Sequence, residues 1–338
     1  MSKILPVLIF PVLSAVGLTF VWYHAFASGF ISKTFFEECA NLRNPNRLPS
    51  SGYPFVDQGL CLLISLFSAL FDQYTYPFLL WLMVALAPIV SFMALEASRV
   101  DSGAPLMVRN PTLTGITIQT MSFAFTTPLY WLSIITSGRA NMRPSFTSTV
   151  SKEHAQAIFL AVLLGLVAPT FYMMHFQTPS TILAWQPFPV FVAIVHGLCI
   201  AFTGSSSKSG YSYIRALYIL NFLANAYVHL SILLPNINNL QSLEGLFVPS
   251  TSLIDLAEPA SAHALHLLQW DTYIGIGSTV FATLWFARSA GQFLGLLLWN
   301  LVAVPIFGPG AAFAGAALWR ESCLHSDVVP RNKKRGKN

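Results

Sequence analysis

The chain has 338 residues, of which 54% are hydrophobic and only 9% are charged. An ordinary soluble domain carries about 25% charged residues and could not bury so much apolar surface. This composition excludes disordered, fibrous and disulfide-scaffold proteins. It predicts an all-α fold, a polytopic transmembrane helical bundle.

The net charge of +5 is concentrated in the C-terminal residues 331–338. At the end of a membrane protein, such a run indicates contact with anionic headgroups of the lipid bilayer rather than nucleic-acid binding. We therefore divide the chain into a single transmembrane helical domain, 1–321, and a basic C-terminal tail, 322–338. The apolar start lacks a clear small-residue cleavage site, so we interpret it as a retained first span.

Apolar runs long enough to suggest membrane helices follow one another along the chain. The second is short for a full crossing, and it could be tilted or re-entrant. The last is interrupted by Pro305 and by Gly308-Pro309-Gly310, so we expect it to bend or turn back. The sequence predicts eight or nine spans, drawn from the runs 4–26, 58–71, 77–97, 112–136, 155–175, 186–203, 211–234, 270–287 and 290–319.

The charges of the connections predict an orientation. Connections 138–154 and 204–215 carry Lys and Arg, whereas 235–269 carries three acids and neither base, which puts the first two in the cytosol. With nine spans and a cytosolic N-terminus the basic tail would reach the lumen, and a final segment that does not cross would remove this conflict. If the second to eighth runs all cross, connections 27–57, 98–111 and 235–269 share one face.

The four cysteines and the histidines show no metal-binding spacing. No CxxC is present, and His263 and His266 form an HxxH pair without evident further ligands. We therefore predict no structural zinc, no other metal and no disulfide framework for Cys39, Cys61, Cys199 and Cys323.

Motifs for several kinds of cofactor chemistry are also absent. The sequence has no P-loop, no GxSxG, no desaturase histidine boxes and no aspartate-rich diphosphate motif. ATP use, di-iron oxidation and diphosphate ionisation therefore lose support, and we expect no cofactor.

Glu96 is the first candidate catalytic residue, because an acid at the edge of a span is a functional hypothesis by default. The C-terminal end of a helix disfavours a carboxylate, and burial would favour the neutral acid that donates a proton. Arg99, three residues later, would oppose this by pairing with Glu96. The alternative is an interfacial Glu–Arg pair that ends the helix.

Asp271 is the second candidate, at the start of the eighth run between Trp270 and Tyr273. A helix N-terminus favours the ionised form, so Asp271 and Glu96 would make an acid and anion pair. The alternative is an ordinary helix cap beside an interfacial aromatic belt. Because both acids fall on the shared face, we expect them to border one cavity.

Polar residues within the spans supply candidate substrate contacts. Asn221, Asn225 and His229 repeat at four-residue spacing, so they should point into the bundle with His229 nearest the acids. Gln119 in the fourth run is similar, and for all of these interhelical hydrogen bonding is the alternative to chemistry. Most aromatics pack or anchor the bundle, but a few that line a cavity could stabilise a carbocation.

Several short motifs together resemble a known family. They are Glu96-Ala97-Ser98-Arg99, Asn110-Pro111, Gly115, Gln119, Pro128-Leu129-Tyr130, Gln269-Trp270-Asp271-Thr272-Tyr273-Ile274-Gly275, Gly308-Pro309-Gly310-Ala311-Ala312 and Trp319-Arg320-Glu321. Over roughly residues 77–321 the chain resembles fungal membrane-bound meroterpenoid terpene cyclases of the ascochlorin and ascofuranone type.

The resemblance implies protonation of a terminal epoxide on a prenylated aromatic substrate, followed by ring closure. This chemistry needs no metal, nucleotide or diphosphate site. Glu96 would be the proton donor, and Asp271 the counter-anion or the alternative donor. The expected substrate contacts, beyond the bilayer itself as partner, are Arg99, Gln119, Tyr130, Asn225, His229, Trp270 and Tyr273.

Two other functions remain open at the level of sequence. A small-molecule or proton-coupled transporter would use the broken last helix, the polar stripe and the paired acids as its path, although no inverted repeat is evident. A non-catalytic scaffold is the other, but the short connections leave little binding surface. We expect a multi-pass protein of the endoplasmic reticulum membrane, and the oligomeric state is left open.

Overall fold

The computed structural model describes residues 4–48, 51–99, 103–145, 148–204 and 208–325, and their regular structure is helical. The main helices are α1 Ile4–Ala27, α2 Pro54–Ala69, α3 Tyr76–Ala97, α4 Pro111–Met121, α5 Phe123–Thr136, α6 Lys152–Phe176 and α7 Pro179–Trp185. They continue with α8 Phe188–Phe202, α9 Tyr211–Asn236, α10 Leu240–Phe247, α11 Ala260–Ala282, α12 Ala290–Phe307 and α13 Pro309–His325. The predicted helical bundle is confirmed.

Five described helices, α1, α3, α6, α9 and α12, are long and apolar enough to cross a membrane. A sixth span results if α7 and α8, which are bent by 53° at their junction, count as one. The protein is therefore a membrane protein with fewer candidate spans than the eight or nine predicted.

A disulfide marks one end of the bundle. Cys39 and Cys61 are bonded, so the prediction of no disulfide was wrong for this pair. Nearby, Phe30 stacks on His263 with ring centroids 4.8 Å apart. We call this the disulfide end, and the opposite end, where Glu96 meets three arginines, the arginine end.

Helix α2 begins and ends at the disulfide end. Its Cys61 is bonded to Cys39, and Tyr74, just after the helix, lies against Gly245 of α10. Because α2 does not cross, only α3 separates connection 27–57 from connection 98–111. These two connections lie at opposite ends, and the predicted shared face was wrong for 98–111.

The fourth apolar run is a hairpin rather than one span. Arg99 before α4 and Arg139 after α5 both contact Glu96, so the hairpin starts and finishes at the arginine end. Its turn is Ser122, with φ of 123°, a conformation that L residues rarely adopt. We call α4 and α5 the first hairpin.

Helices α12 and α13 form the second hairpin. Phe286, just before α12, stacks on Phe92 of α3, and Arg320 in α13 pairs with Glu96. This hairpin therefore also starts and finishes at the arginine end. It turns at Gly308, where φ of 87° suits glycine. The predicted turning back is confirmed.

The second hairpin also brings the described C-terminus to the arginine end. His325, the last residue of α13, stacks on Tyr211 at the start of α9. The conflict noted from the sequence, in which nine spans would bring the C-terminal end to the lumen, is thus removed. The predicted boundary at residue 321 falls inside α13, and the tail from 326 onward lies outside the described residues.

Candidate functional site

Glu96 lies in a buried ion cluster, and it lines neither of the two cavities described below. Its Oε1 accepts hydrogen bonds from Arg99 Nε at 2.7 Å and Arg320 Nη1 at 2.8 Å. Arg139 Nη1 is 3.5 Å from Oε2. Glu321 adds a second carboxylate that pairs with Arg99 and Arg320. The predicted Glu–Arg pair is therefore real, and these five residues form what we call the ion cluster.

The ion cluster ties together the bases of both hairpins. Arg99 leads into the first hairpin, Arg139 follows it, and Arg320 and Glu321 end the second. Three guanidinium groups thus surround two buried carboxyl groups, and each arginine has an acidic partner within the cluster. Glu96 therefore has the position of a structural residue.

Two other predicted contacts lie away from the cavities described below. Tyr130 is fully buried beside Trp131, and its hydroxyl has no hydrogen-bond partner among the described residues. Gln119 is half-buried on α4, and the structure assigns it no hydrogen bond. Neither side chain is brought to Asp271 or His229.

Asp271 caps a helix other than its own. Its Oδ1 accepts a hydrogen bond from the backbone N–H of Ala124 at 2.7 Å, in the first turn of α5. The first N–H groups of a helix have no partner within it, and a carboxylate satisfies them well. Asp271 thus holds the turn of the first hairpin. The alternative role as a helix cap was predicted, but for the start of its own helix and not for α5.

Glu96 and Asp271 are not brought together. Trp81 of α3 lies near Tyr273 of α11, whereas Phe92 of α3 lies near Phe286, four residues beyond the end of α11. Glu96 is fifteen residues beyond Trp81, or roughly 22 Å along the helix at 1.5 Å per residue. The expectation that the two acids border one cavity was wrong. It assumed that α2 crosses the bundle, but α2 stays at the disulfide end, so α3 carries Glu96 to the arginine end.

Trp270 anchors a loop at the disulfide end. Its indole N–H donates to the carbonyl of Ser250 at 2.9 Å, and its ring stacks on Phe20 with centroids 4.0 Å apart. Its contacts are those of an anchoring aromatic residue.

The polar stripe of α9 points into the bundle, as predicted. Asn221 donates to Ser91 at 3.2 Å, and Asn225 donates to the carbonyl of Val84 at 3.1 Å. His229 accepts a hydrogen bond at Nδ1 from the Trp81 indole at 3.1 Å. The hydrogen-bond partners of His229 are Trp81 of α3 and Pro305 of the second hairpin, and neither is one of the two acids.

His229 secures the turn of the second hairpin. Because its Nδ1 accepts from Trp81, the neutral ring carries its proton on Nε2, which lies 3.3 Å from the carbonyl oxygen of Pro305. That carbonyl would normally bond the N–H four residues later, but Pro309 has none. The ring also lies close against Gly308.

A cavity of about 810 Å³, which we call the central cavity, lies between α3, α9, α10, α11 and α12. This volume is typical of small-molecule sites. Its wall is largely aliphatic and aromatic, with Leu233, Phe247, Ile276, Val280, Phe281 and Leu284 among the lining residues. The few lining groups able to hydrogen-bond through a side chain are Trp81, His229, Glu244, Tyr273 and Asn300.

The polar groups of the central cavity differ in what they can still bind. Asn300 donates to Val280 and Thr283, but its Oδ1 is buried without a partner among the described residues. Tyr273 has no described hydrogen bond at its hydroxyl. Asp271 is two residues from Tyr273, about 200° around the helix, so it faces away from the cavity.

Helix α10 covers the disulfide end of the central cavity and carries its carboxyl group. The Gln269 amide donates to the carbonyls of Gly245 and Leu246 at 3.2 and 2.8 Å, which fixes α10 against α11. Glu244, exposed on the same helix, lines the cavity.

Sequence reasoning missed several of these residues. Trp81, Glu244 and Asn300 lack a distinctive local motif, and only the fold joins them. Arg320 and Glu321 did carry a signal, since charges beside an apolar run are costly, but the run appeared to end at residue 319.

Comparison with known protein families shows that a family model described as the CtvD domain matches residues 6–325. No curated protein and no solved structure matches the chain.

Proposed function

Since the chain belongs to the CtvD domain family, we propose that it is a membrane-embedded cyclase that closes a ring on a prenylated aromatic epoxide in the central cavity. The observation that carries this proposal is the cavity itself, which is large, apolar and lined by a single carboxyl group among the residues that the structure describes. The resemblance to meroterpenoid cyclases supports the same reaction class.

The walls of the cavity suit an isoprenoid chain that enters from the bilayer. Leu240 and Leu301 line the cavity and are 71% and 64% exposed, so apolar side chains border its opening. A greasy substrate can pass this border without crossing water. Trp81, Phe247 and Tyr273 offer aromatic faces that stabilise a developing carbocation.

Glu244 is the acid in this proposal. Its carboxyl group donates a proton to the epoxide oxygen as the carbon–oxygen bond of the epoxide breaks. A nucleophile of the same substrate forms the new ring bond, and the carboxylate regains a proton released from the product. The reaction is an isomerisation that needs no co-reactant, and Tyr273 and Asn300 orient the oxygen atoms.

Glu96 and Asp271 then have structural rather than catalytic tasks. The ion cluster holds the bases of the two hairpins, and Asp271 caps α5. We place the protein in the endoplasmic reticulum membrane with the disulfide end in the lumen, because disulfides persist in oxidising compartments. The bases at the arginine end agree with a cytosolic position.

The test is turnover by purified protein supplied with an epoxidised prenyl-phenol. Glu244→Gln should lower turnover by about 10²–10⁴-fold, the usual contribution of a positioned general acid. Glu258→Gln, in the neighbouring loop and outside the cavity lining, is the matched control and should leave turnover unchanged. Near-normal turnover in Glu244→Gln would refute this assignment.

A carrier for a hydrophobic molecule is the second candidate. The central cavity touches Pro305 and Pro309 at the turn of the second hairpin, and transporters often build sites at interrupted helices. Protein in vesicles that moves the epoxide across the bilayer without forming a cyclised product would favour the carrier.

A further inference from the structure

A second cavity lies apart from the central one, on the other side of α3. It has a volume of about 320 Å³ and is bounded by α3, α4, α6 and α8. We call it the lateral cavity. Its lining residues on α3 run from Leu86 to Ala97, beyond Trp81, so the two cavities use different stretches of this helix.

The polar groups of the lateral cavity are gathered at the arginine end. Arg109 precedes α4, Ser98 follows α3, and His154 lies near the start of α6. Arg109 is exposed and makes no side-chain hydrogen bond or ion pair with the described residues. Among the described residues, this end of the cavity therefore presents a cation without an ion-pair partner.

Two histidines add further hydrogen-bonding groups at this end. His154 Nδ1 lies 3.4 Å from His196 Nε2, and both rings are half-buried and line the cavity. Whichever ring donates to the other, the pair keeps one further N–H and one further acceptor. The first turn of α4, with Pro111 and Thr112 in the lining, adds the positive end of a helix dipole.

The remainder of the lateral cavity is apolar. Ile89 and Met93 of α3, Ile118 of α4, and Phe188 and Val192 of α8 are among its lining residues. A ligand that fills this space must therefore be charged at one end only.

We propose that the lateral cavity binds a single-chain amphiphile with a carboxylate head, the chemistry of a fatty acid. The carboxylate lies between Arg109 and the His154–His196 pair, and the chain lies among the apolar side chains. At about 30 Å³ for each water-sized group, the volume holds roughly ten such groups, which suits one chain rather than two. The site is independent of the cyclase proposal.

Binding is measured with the full chain in lipid nanodiscs and dodecanoate labelled with ¹³C at the carboxyl carbon. Methyl dodecanoate has the same chain without the charge and serves as the matched ligand. We expect saturable dodecanoate binding and weaker binding of the ester. Arg109→Gln should lower dodecanoate affinity by about tenfold or more, in keeping with a lost charge-assisted hydrogen bond, and should not change ester binding.

Two further variants complete the test. Arg143→Gln removes an exposed arginine at the same end but outside the cavity, and should leave both affinities unchanged. Ala193→Phe places a ring in the cavity wall and should weaken acid and ester alike while the melting temperature is maintained. Equal affinity for acid and ester, or equal effects of the two arginine variants, would overturn the proposal. Saturable binding of lysophosphatidate without binding of dodecanoate would also overturn the proposal.

Discussion

His229 donates its Nε2 proton to the carbonyl oxygen of Pro305, at the position where Pro309 leaves that oxygen without a helical partner. Asp271 has the matching role at Ala124 in the first hairpin. Each hairpin turn inside the bundle is thus satisfied by one polar side chain from a neighbouring helix.

His229→Leu should destabilise the protein by about 2 kcal/mol or more, because the carbonyl of Pro305 and the indole of Trp81 both lose a buried partner. The measurement is the thermal midpoint in detergent. His175→Leu, at an exposed histidine of α6, should stay within about 0.5 kcal/mol. Equal midpoints for the two variants would contradict this role.

Substitutions at Asp271 should separate capping from acid chemistry. Asn caps helices about as well as Asp, so Asp271→Asn should keep both stability and turnover per folded molecule. Asp271→Ala should lose about 0.5–2 kcal/mol of stability, also without loss of turnover per folded molecule. Loss of turnover in a stably folded Asp271→Asn protein would restore Asp271 as the acid.

Glu96→Gln should reduce the folded yield sharply, with an expected loss of about 3–5 kcal/mol of stability. The reason is that Arg99 and Arg320 would then share Glu321 as their acidic partner among the described residues, and breaking a buried charge network has effects of this size. The measurement is the monodisperse fraction in size-exclusion chromatography, with exposed Glu37→Gln as the control. A well-folded but inactive Glu96→Gln protein would instead support the donor role that the resemblance implied.

Removal of the disulfide should lower stability by about 3 kcal/mol, the chain-entropy value for the 22-residue separation of Cys39 and Cys61. The measurement is the melting temperature of the Cys39→Ser, Cys61→Ser double variant, compared with the parent protein with and without reductant. Cys199→Ser, at a free cysteine, should melt like the parent. A reductant effect that persists in the double variant would point to another cause.

The sequence predicts the long helices well and the short ones badly. Helices α3, α6 and α9 match single apolar runs because each is uninterrupted and about one membrane long. The run 112–136 hid a hairpin, since one serine at position 122 barely lowers its hydropathy. The glycine and proline residues around Gly308 have stronger local effects, so that turn was predicted.

The candidate site was harder to predict for a different reason. The spacing of Asn225 and His229 correctly predicts a face that points inward, because helical periodicity is local information. The cavity that each acid can reach depends on whether α2 crosses the bundle. The composition of this 16-residue helix does not show whether it crosses. Because α2 was wrongly predicted to cross, Glu96 was predicted at the wrong end of the bundle.

The two hairpins differ in when their partners are synthesised. His229 precedes Pro305 by 76 residues, so the second hairpin emerges when its anchor is already in place. Asp271 follows Ala124 by 147 residues, so the first hairpin emerges long before the carboxylate that caps it. During biogenesis the first hairpin must therefore be sheltered from lipid until α11 arrives, and its docking is a late step of membrane insertion.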